Sequence, residues 1–316
     1  MLENFVMVLR EAGVLFALML VGFVCQKTKC LTDQSLKGIV NLLIWVVNPA
    51  LIITVFQRPY DNSMSQALGE ALLCAVGIHV VLIALAYLIF RRACAASRPV
   101  LQLAFVFSNS GFMGFPLERA LLGDAGVFYG AIYVAVFNLF IWSWGYITAQ
   151  GNGGGLKIWT MIKSSFLNPG TLALALAWPL FIFSIELPQA VGRPLASLAD
   201  LNTPLAMITI GYFLASSPLS RILRMPAAWG AALWRLVLTP ILFGIFFYVF
   251  QSHFDRVMML ALLTAAATPV ATMVPMFAAK YKQDIALAVG LVSLTTLLSV
   301  LTMPLLIAWA KVALAT

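Results

Sequence analysis

Charged residues punctuate this chain at long intervals, and the apolar stretches between them predict its architecture. Nine windows hold no Asp, Glu, Lys or Arg: 38–57, 71–90, 99–117, 125–156, 164–185, 201–220, 236–254, 257–279 and 285–310, each at least 19 residues long. A helix needs about 20 apolar residues to cross a bilayer. A tenth stretch, 12–26, reaches that length when residues 4–11 join it, with Arg10 and Glu11 near one end. The pattern predicts an all-α integral membrane protein of ten transmembrane helices joined by short loops, with no soluble domain attached. The start, MLENFVMVLREAG, lacks the basic run and small-x-small cleavage site of a signal peptide, so helix 1 is expected to stay as an anchor.

Composition agrees. Of 316 residues 62% are apolar and 9% charged, with a mean hydropathy of +0.99; soluble domains carry about 45–50% and about 25%. Soluble and disordered classes are excluded. Cys25, Cys30, Cys74 and Cys94 show no CxxC spacing and read as free thiols, and neither a metal nor a cofactor is expected. The net charge of +8 reads as loop lysines and arginines at the cytoplasmic face rather than as a nucleic-acid surface. The loops after helices 1, 3, 5, 7 and 9 hold twelve basic residues, and the opposite side with both termini holds six. The bias predicts both termini outside and the loops after helices 1, 3, 5, 7 and 9 in the cytoplasm.

The halves repeat. Asn48-Pro49 answers Thr203-Pro204 at an offset of 155, Pro116 answers Pro275 at 159, and Asp124 and Gly130 answer Asp284 and Gly290 at 160. Five helices per copy is an odd number, so the second copy must lie inverted, as in many secondary transporters. The reading gives 1–150 as the first repeat, 151–163 as a short cytoplasmic linker beginning Gly151-Asn152-Gly153-Gly154-Gly155, and 164–316 as the second repeat.

Helices 4 and 9 carry the chemistry. Helix 4 contains Ser108, Asn109, Ser110, Gly111, Gly114 and Pro116; helix 9 contains Thr268, Pro269, Thr272 and Pro275. Prolines and glycines beside hydroxyl and amide residues, at matched places in two halves, predict broken helices around a midplane binding site. Unwound backbone cannot face lipid, so it must line protein or a wet cavity. Each half-helix that starts after a break presents a positive dipole end, which attracts an anion. No Asp or Glu lies in either broken segment, which disfavours a cationic substrate.

Other polar residues carry two readings each. Arg235, about ten residues into helix 8, is either functional or snorkels to the face. His79, 156 residues before it, is either proton-coupled or a packed polar residue. Asp200 is interfacial or lines an outward vestibule. Asn48 and Thr203 touch substrate or shape the wall near it.

Asn109-Ser-Gly-Phe-Met-Gly-Phe-Pro116-Leu resembles the helix 4 motif of the auxin efflux carrier family, and Val274-Pro275-Met-Phe-Ala-Ala-Lys280-Tyr281 its helix 9 motif. The resemblance covers essentially the whole chain. It implies a dimerising scaffold of helices 1, 2, 6 and 7, and a mobile transport domain of helices 3–5 and 8–10. It implies that helices 4 and 9 cross at Pro116 and Pro275, that Asn109 meets the substrate carboxylate, and that access alternates by an elevator motion. Family members carry organic anions: auxin in plants, malonate or malate in bacteria. The short loop between helices 5 and 6 departs from the plant carriers and resembles bacterial members.

The sequence therefore predicts a carrier of small carboxylates, dicarboxylates such as malonate or malate foremost, with the bilayer and a second copy of the chain as partners. The rivals are a sodium-coupled bile-acid-type symporter, a carrier of auxin-like aromatic monocarboxylates, and a sensor that binds without transport. An enzyme is disfavoured, since no nucleophile–base–acid set is visible. With no intramembrane acid evident near the site, a coupled proton is expected to ride on the substrate.

Overall fold

The computed structural model describes residues 2–151, 158–216 and 222–314. Its helices are α1 (Leu2–Lys27), α2 (Asp33–Val55), α3 (Asn62–Phe90), α4 (Arg98–Val106), α5 (110–122) and α6 (124–150). After these come α7 (Ile158–Phe166), α8 (Pro169–Ile182), α9 (Gln189–Asp200) and α10 (Asn202–Ala215). The last are α11 (Pro226–Val249), α12 (Arg256–Ala267), α13 (Met273–Lys280) and α14 (Ile285–Ala313). Among the described residues there is no strand beyond an isolated bridge, and six helical stretches are long and apolar enough to cross a membrane. The chain is an all-helical, multi-pass membrane protein.

Charges punctuate the windows because several acids start helices. The side chains of Asp61, Asp255 and Asp284 accept hydrogen bonds from the backbone N–H groups of Met64, Met258 and Leu287 at 2.8–3.0 Å. Asn168 does the same for Thr171 at the head of α8. An acid here satisfies orphan donors and meets the positive end of the helix dipole.

Several boundaries differ from the windows. The 41-residue stretch Ser110–Gln150 is two helices, because Gly123 adopts φ +66° and turns the chain. The window 125–156 stops at Gln150, where Gly151 takes φ +63°. Helix 7 starts early, at Gln189, because amphipathic α9 runs straight on into α10. Residues 152–157 of the expected linker lie outside the described residues, and α7 occupies much of the rest.

Proline leaves a regular mark. Of the four wide π turns among the described residues, those at Leu43–Val47, Ser110–Gly114 and Trp234–Leu238 are each followed two residues later by a proline, Pro49, Pro116 and Pro240, and Ile141–Gly145 is not. A proline ring clashes with the carbonyl one turn back and donates no hydrogen bond. Widening the preceding turn removes the clash without ending the helix.

Two backbone contacts set the packing of α1 on α10. A Cβ placed on Gly22 would land on the Ile208 carbonyl, and one on Gly211 would land on the Met19 carbonyl. Lipid supplies little hydrophobic drive between spans, so close approach through small residues holds them. Further along α10, the Asn202 amide donates to the Asn48 side-chain oxygen at 2.6 Å, joining the matched Asn-Pro and Asn-Thr-Pro segments. Two residues earlier, at the end of α9, Asp200 pairs with Arg119 of α5 at 3.0 Å, and Arg119 also meets Asp124 at 3.3 Å.

Candidate functional site

Helix 4 breaks between α4 and α5, and helix 9 between α12 and α13. In the gaps the chain is extended, and Ser108 lies opposite Val270 in an antiparallel bridge. The Asn109 N–H donates to the Pro269 carbonyl at 2.8 Å, and the Ala271 N–H donates to the Phe107 carbonyl at 3.0 Å. The Val270 N–H donates to Thr295 Oγ1 of α14 at 3.1 Å. Backbone that cannot be left unpaired in a membrane is thus paired across the crossing. The crossing lies at Ser108 and Val270, not at Pro116 and Pro275. Pro275 sits in the first turn of α13, where a missing N–H removes no intrahelical bond, while Gly114 and Pro116 lie further into α5, at the end of its π turn and just after it. Pro269 alone of the expected break residues is in a gap.

Arg235 sits behind the crossing, fully buried in the last π turn. Its guanidinium donates to the carbonyls of Phe105 (3.1 Å) and Val106 (3.4 Å) at the end of α4. It also donates to those of Ala266 (2.5 Å) and Thr268 (3.2 Å) at the end of α12. These are the negative ends of two helices. Arg235 does not snorkel to the face: it ties the two breaks together from within the protein. No acid pairs with it among the described residues.

The positive ends stay open. The first N–H groups of α5 and α13 have no intrahelical acceptors. Beside them the Asn109 side chain, 3% exposed, keeps its amide nitrogen without a partner, as Ser110 does its hydroxyl. A cavity of about 620 Å³ adjoins them, lined by Ser108, Asn109, Gly111, Thr272 and Pro275 from the crossing and by Asn48 of α2. That volume is ordinary for a small-molecule site. The far wall includes Trp45, Phe112, Phe115, Phe137 and Trp142. Among the described residues no Asp, Glu, Lys or Arg lines it, though the Lys280 ammonium lies 5.6 Å over the Trp142 ring. The cavity reaches Asn168 at the head of α8 and Ser216 after α10, so it lies toward the end that carries the basic-rich loops.

Other expected residues lie apart from the cavity lining. The Thr268 hydroxyl bonds back to Ala265, and Thr203 does not reach the cavity. His79 is a packed residue: Nδ1 lies 2.8 Å from the Ala75 carbonyl, and the ring stacks on Phe140 at 5.2 Å. Asp200 holds Arg119 at the opposite end from the cavity.

Two kinds of residue escaped the sequence reading. The aromatic wall is invisible in a chain where aromatics are everywhere, although Asn138, a lone amide in helix 5, was a readable signal. Glu118 had closed the window 99–117 as a boundary charge. It is fully buried, and neither carboxyl oxygen has a hydrogen-bond partner. The expectation that no intramembrane acid lies near the site is therefore corrected.

A family model described as "Membrane transport protein" matches residues 13–307. The chain belongs to this family. It is the auxin efflux carrier family that the helix 4 and helix 9 motifs resemble. Membrane transport proteins similar to this chain include an uncharacterized transporter of Methanothermobacter thermautotrophicus, 25% identical over 91% of this chain and 93% of its own length. A Rhizobium meliloti protein described as "Putative malonate transporter" is 24% identical over 91% of each chain. An uncharacterized transporter of Methanocaldococcus jannaschii is 25% identical over 92% of this chain and 95% of its own. The protein is a membrane transporter and not an enzyme.

Proposed function

We propose that this transporter carries small organic carboxylates through the cavity at the crossing. One observation supports this most: the negative helix ends meet at Arg235, while the positive ends of α5 and α13 face the cavity with Asn109. A carboxylate there accepts from preorganised N–H donors in a low-dielectric site, where such bonds are strong. A three- or four-carbon dicarboxylate is the first candidate, in keeping with the printed description of the Rhizobium meliloti relative. The aromatic wall and the lack of a lining cation favour a second reading, an aromatic monocarboxylate whose ring packs on Trp45, Phe112 and Trp142.

In this reading the ten spans form two inverted repeats. Helices 1, 2, 6 and 7 are a dimerising scaffold in the inner membrane, and the crossing rides with helices 3–5 and 8–10 in an elevator motion. The cavity toward the basic-rich loops, with the Arg119–Asp200 pair at the other end, supports reading the described state as inward-facing.

The test is flux into proteoliposomes with labelled malonate, malate and indole-3-acetate, under sodium, pH and voltage gradients imposed singly. One acid should move, and Asn109→Ala should weaken its apparent affinity about tenfold, the equivalent of about 1.4 kcal/mol. Binding without flux under every gradient would overturn the carrier. Flux indifferent to Asn109→Ala would move the site elsewhere.

A further inference from the structure

We infer that Glu118 is a proton-binding site of this transporter, separate from the substrate cavity and loaded and unloaded during its cycle. The inference rests on the carrier reading above. Glu118 lies on α5, two turns past the crossing, and does not line the cavity. Its carboxyl group occupies the space beside Gly130 of α6, which a Cβ at that position would fill, and a Cβ at Gly114 would sit 3.6 Å from Oε1. The room for this side chain is left by Gly130 on the neighbouring helix.

The carboxyl has nothing to neutralise its charge. Among the described residues the ion pairs are those of Arg119, next in sequence, which points away to Asp124 and Asp200. Tyr133, on α6 beyond Gly130, is the titratable group within electrostatic reach. Of the elements packed on α5 and α6, α3 contributes Glu70 and His79, α12 Arg256, and α1 Arg10 and Glu11; none of these forms an ion pair with Glu118. Lys311 of α14 donates to the Leu121 carbonyl instead, at 3.2 Å. An unpaired carboxylate is not tolerated in such a place, whereas the neutral acid is. A metal ion is a poorer occupant, because it would need several oxygen ligands where the space is walled by glycine.

The step is simple to balance. Glu118 takes a proton from water on one side, forming an O–H bond on a carboxyl oxygen, and returns it to water on the other. Arg119 lies next to it and links α5 to Asp200 at the end of α9, so parting that pair opens this end of α5 to water. Glu118 then loses its proton only when the carrier has changed state, and a proton gradient is thereby tied to substrate movement.

Infrared spectroscopy of the purified protein in lipid reads the site without any flux. Wild type at neutral pH should show the C=O band of a neutral carboxylic acid, and Glu118→Gln should lack it. In proteoliposomes Glu118→Gln should lose accumulation driven by a pH gradient, and its flux should become independent of pH. Should Glu118→Gln not fold, Glu118→Asp keeps an acid and should move both the band and the pH midpoint of transport. A band absent from wild type, or unchanged in the variants, overturns the inference. So does a Glu118→Gln protein that accumulates substrate under a pH gradient as wild type does. If wild type moves no carboxylate although the band is present, the carrier reading falls instead, and the infrared result still identifies the protonated group.

Discussion

Arg235 shows how one residue resolves a problem that the fold creates. Two broken helices leave carbonyls at the ends of α4 and α12 that cannot be exposed to lipid. A planar guanidinium with five donors in a fixed fork answers four of them at once. An ammonium in its place has three donors on one atom. Arg235→Lys should therefore lower the melting temperature of the solubilised protein, and Arg235→Leu should lower it further, since each buried carbonyl left unpaired costs about 1–3 kcal/mol. Both should depress transport through disorder at the crossing. Equal melting temperatures for the three proteins would disprove this role. The polar residues of helix 4 could be read in advance because Ser108 and Asn109 interrupt an apolar window beside glycines and a proline. The role of Arg235 could not, since its partners are backbone groups 31 to 130 residues away in sequence, with no side-chain signature. Glu118 was hidden by the rule that found the helices, which treats every charge as an edge.

At the scale of helices, helix 4 is interrupted at 107–109 and helix 9 at 268–272, and the Asn48–Asn202 bond joins the segments that precede Pro49 and Pro204. The offset between halves does not reveal which helices touch. The tight contact of α1 and α10 depends on Gly22 and Gly211, which are 189 positions apart and unremarkable among 21 glycines. Gly211→Val should push its branched side chain into the Met19 backbone and separate the two helices. Overpacking of this kind costs about 1–3 kcal/mol. A matching loss of thermal stability is the expected result, measured against Gly230→Val, where a Cβ meets nothing within 4 Å. Similar stability in the two variants would mean that α1 and α10 give way easily. The π turns before Pro49, Pro116 and Pro240 also had a sequence cue, since proline removes the same bond wherever it falls in a helix.

Over the whole molecule, the bridge between Ser108 and Val270 limits what can move against what. Two backbone hydrogen bonds flank that pair, so helices 4 and 9 are riveted where the cavity begins. A carrier could expose its ligand by sliding these helices past each other, but here that would tear the rivet. In the elevator motion proposed above, the crossing travels as one piece, like the floor of a lift, while the scaffold helices stay as the shaft. The flanked geometry brings the two Cα atoms to about 4.5 Å, within the span of a disulfide. Ser108→Cys with Val270→Cys should therefore close a bond under oxidation and leave flux standing. A cross-link from Trp45→Cys on α2 to Met276→Cys on α13, two residues that line the cavity from opposite groups, should stop flux until it is reduced. The substrate, in that case, never leaves its seat while the door changes sides.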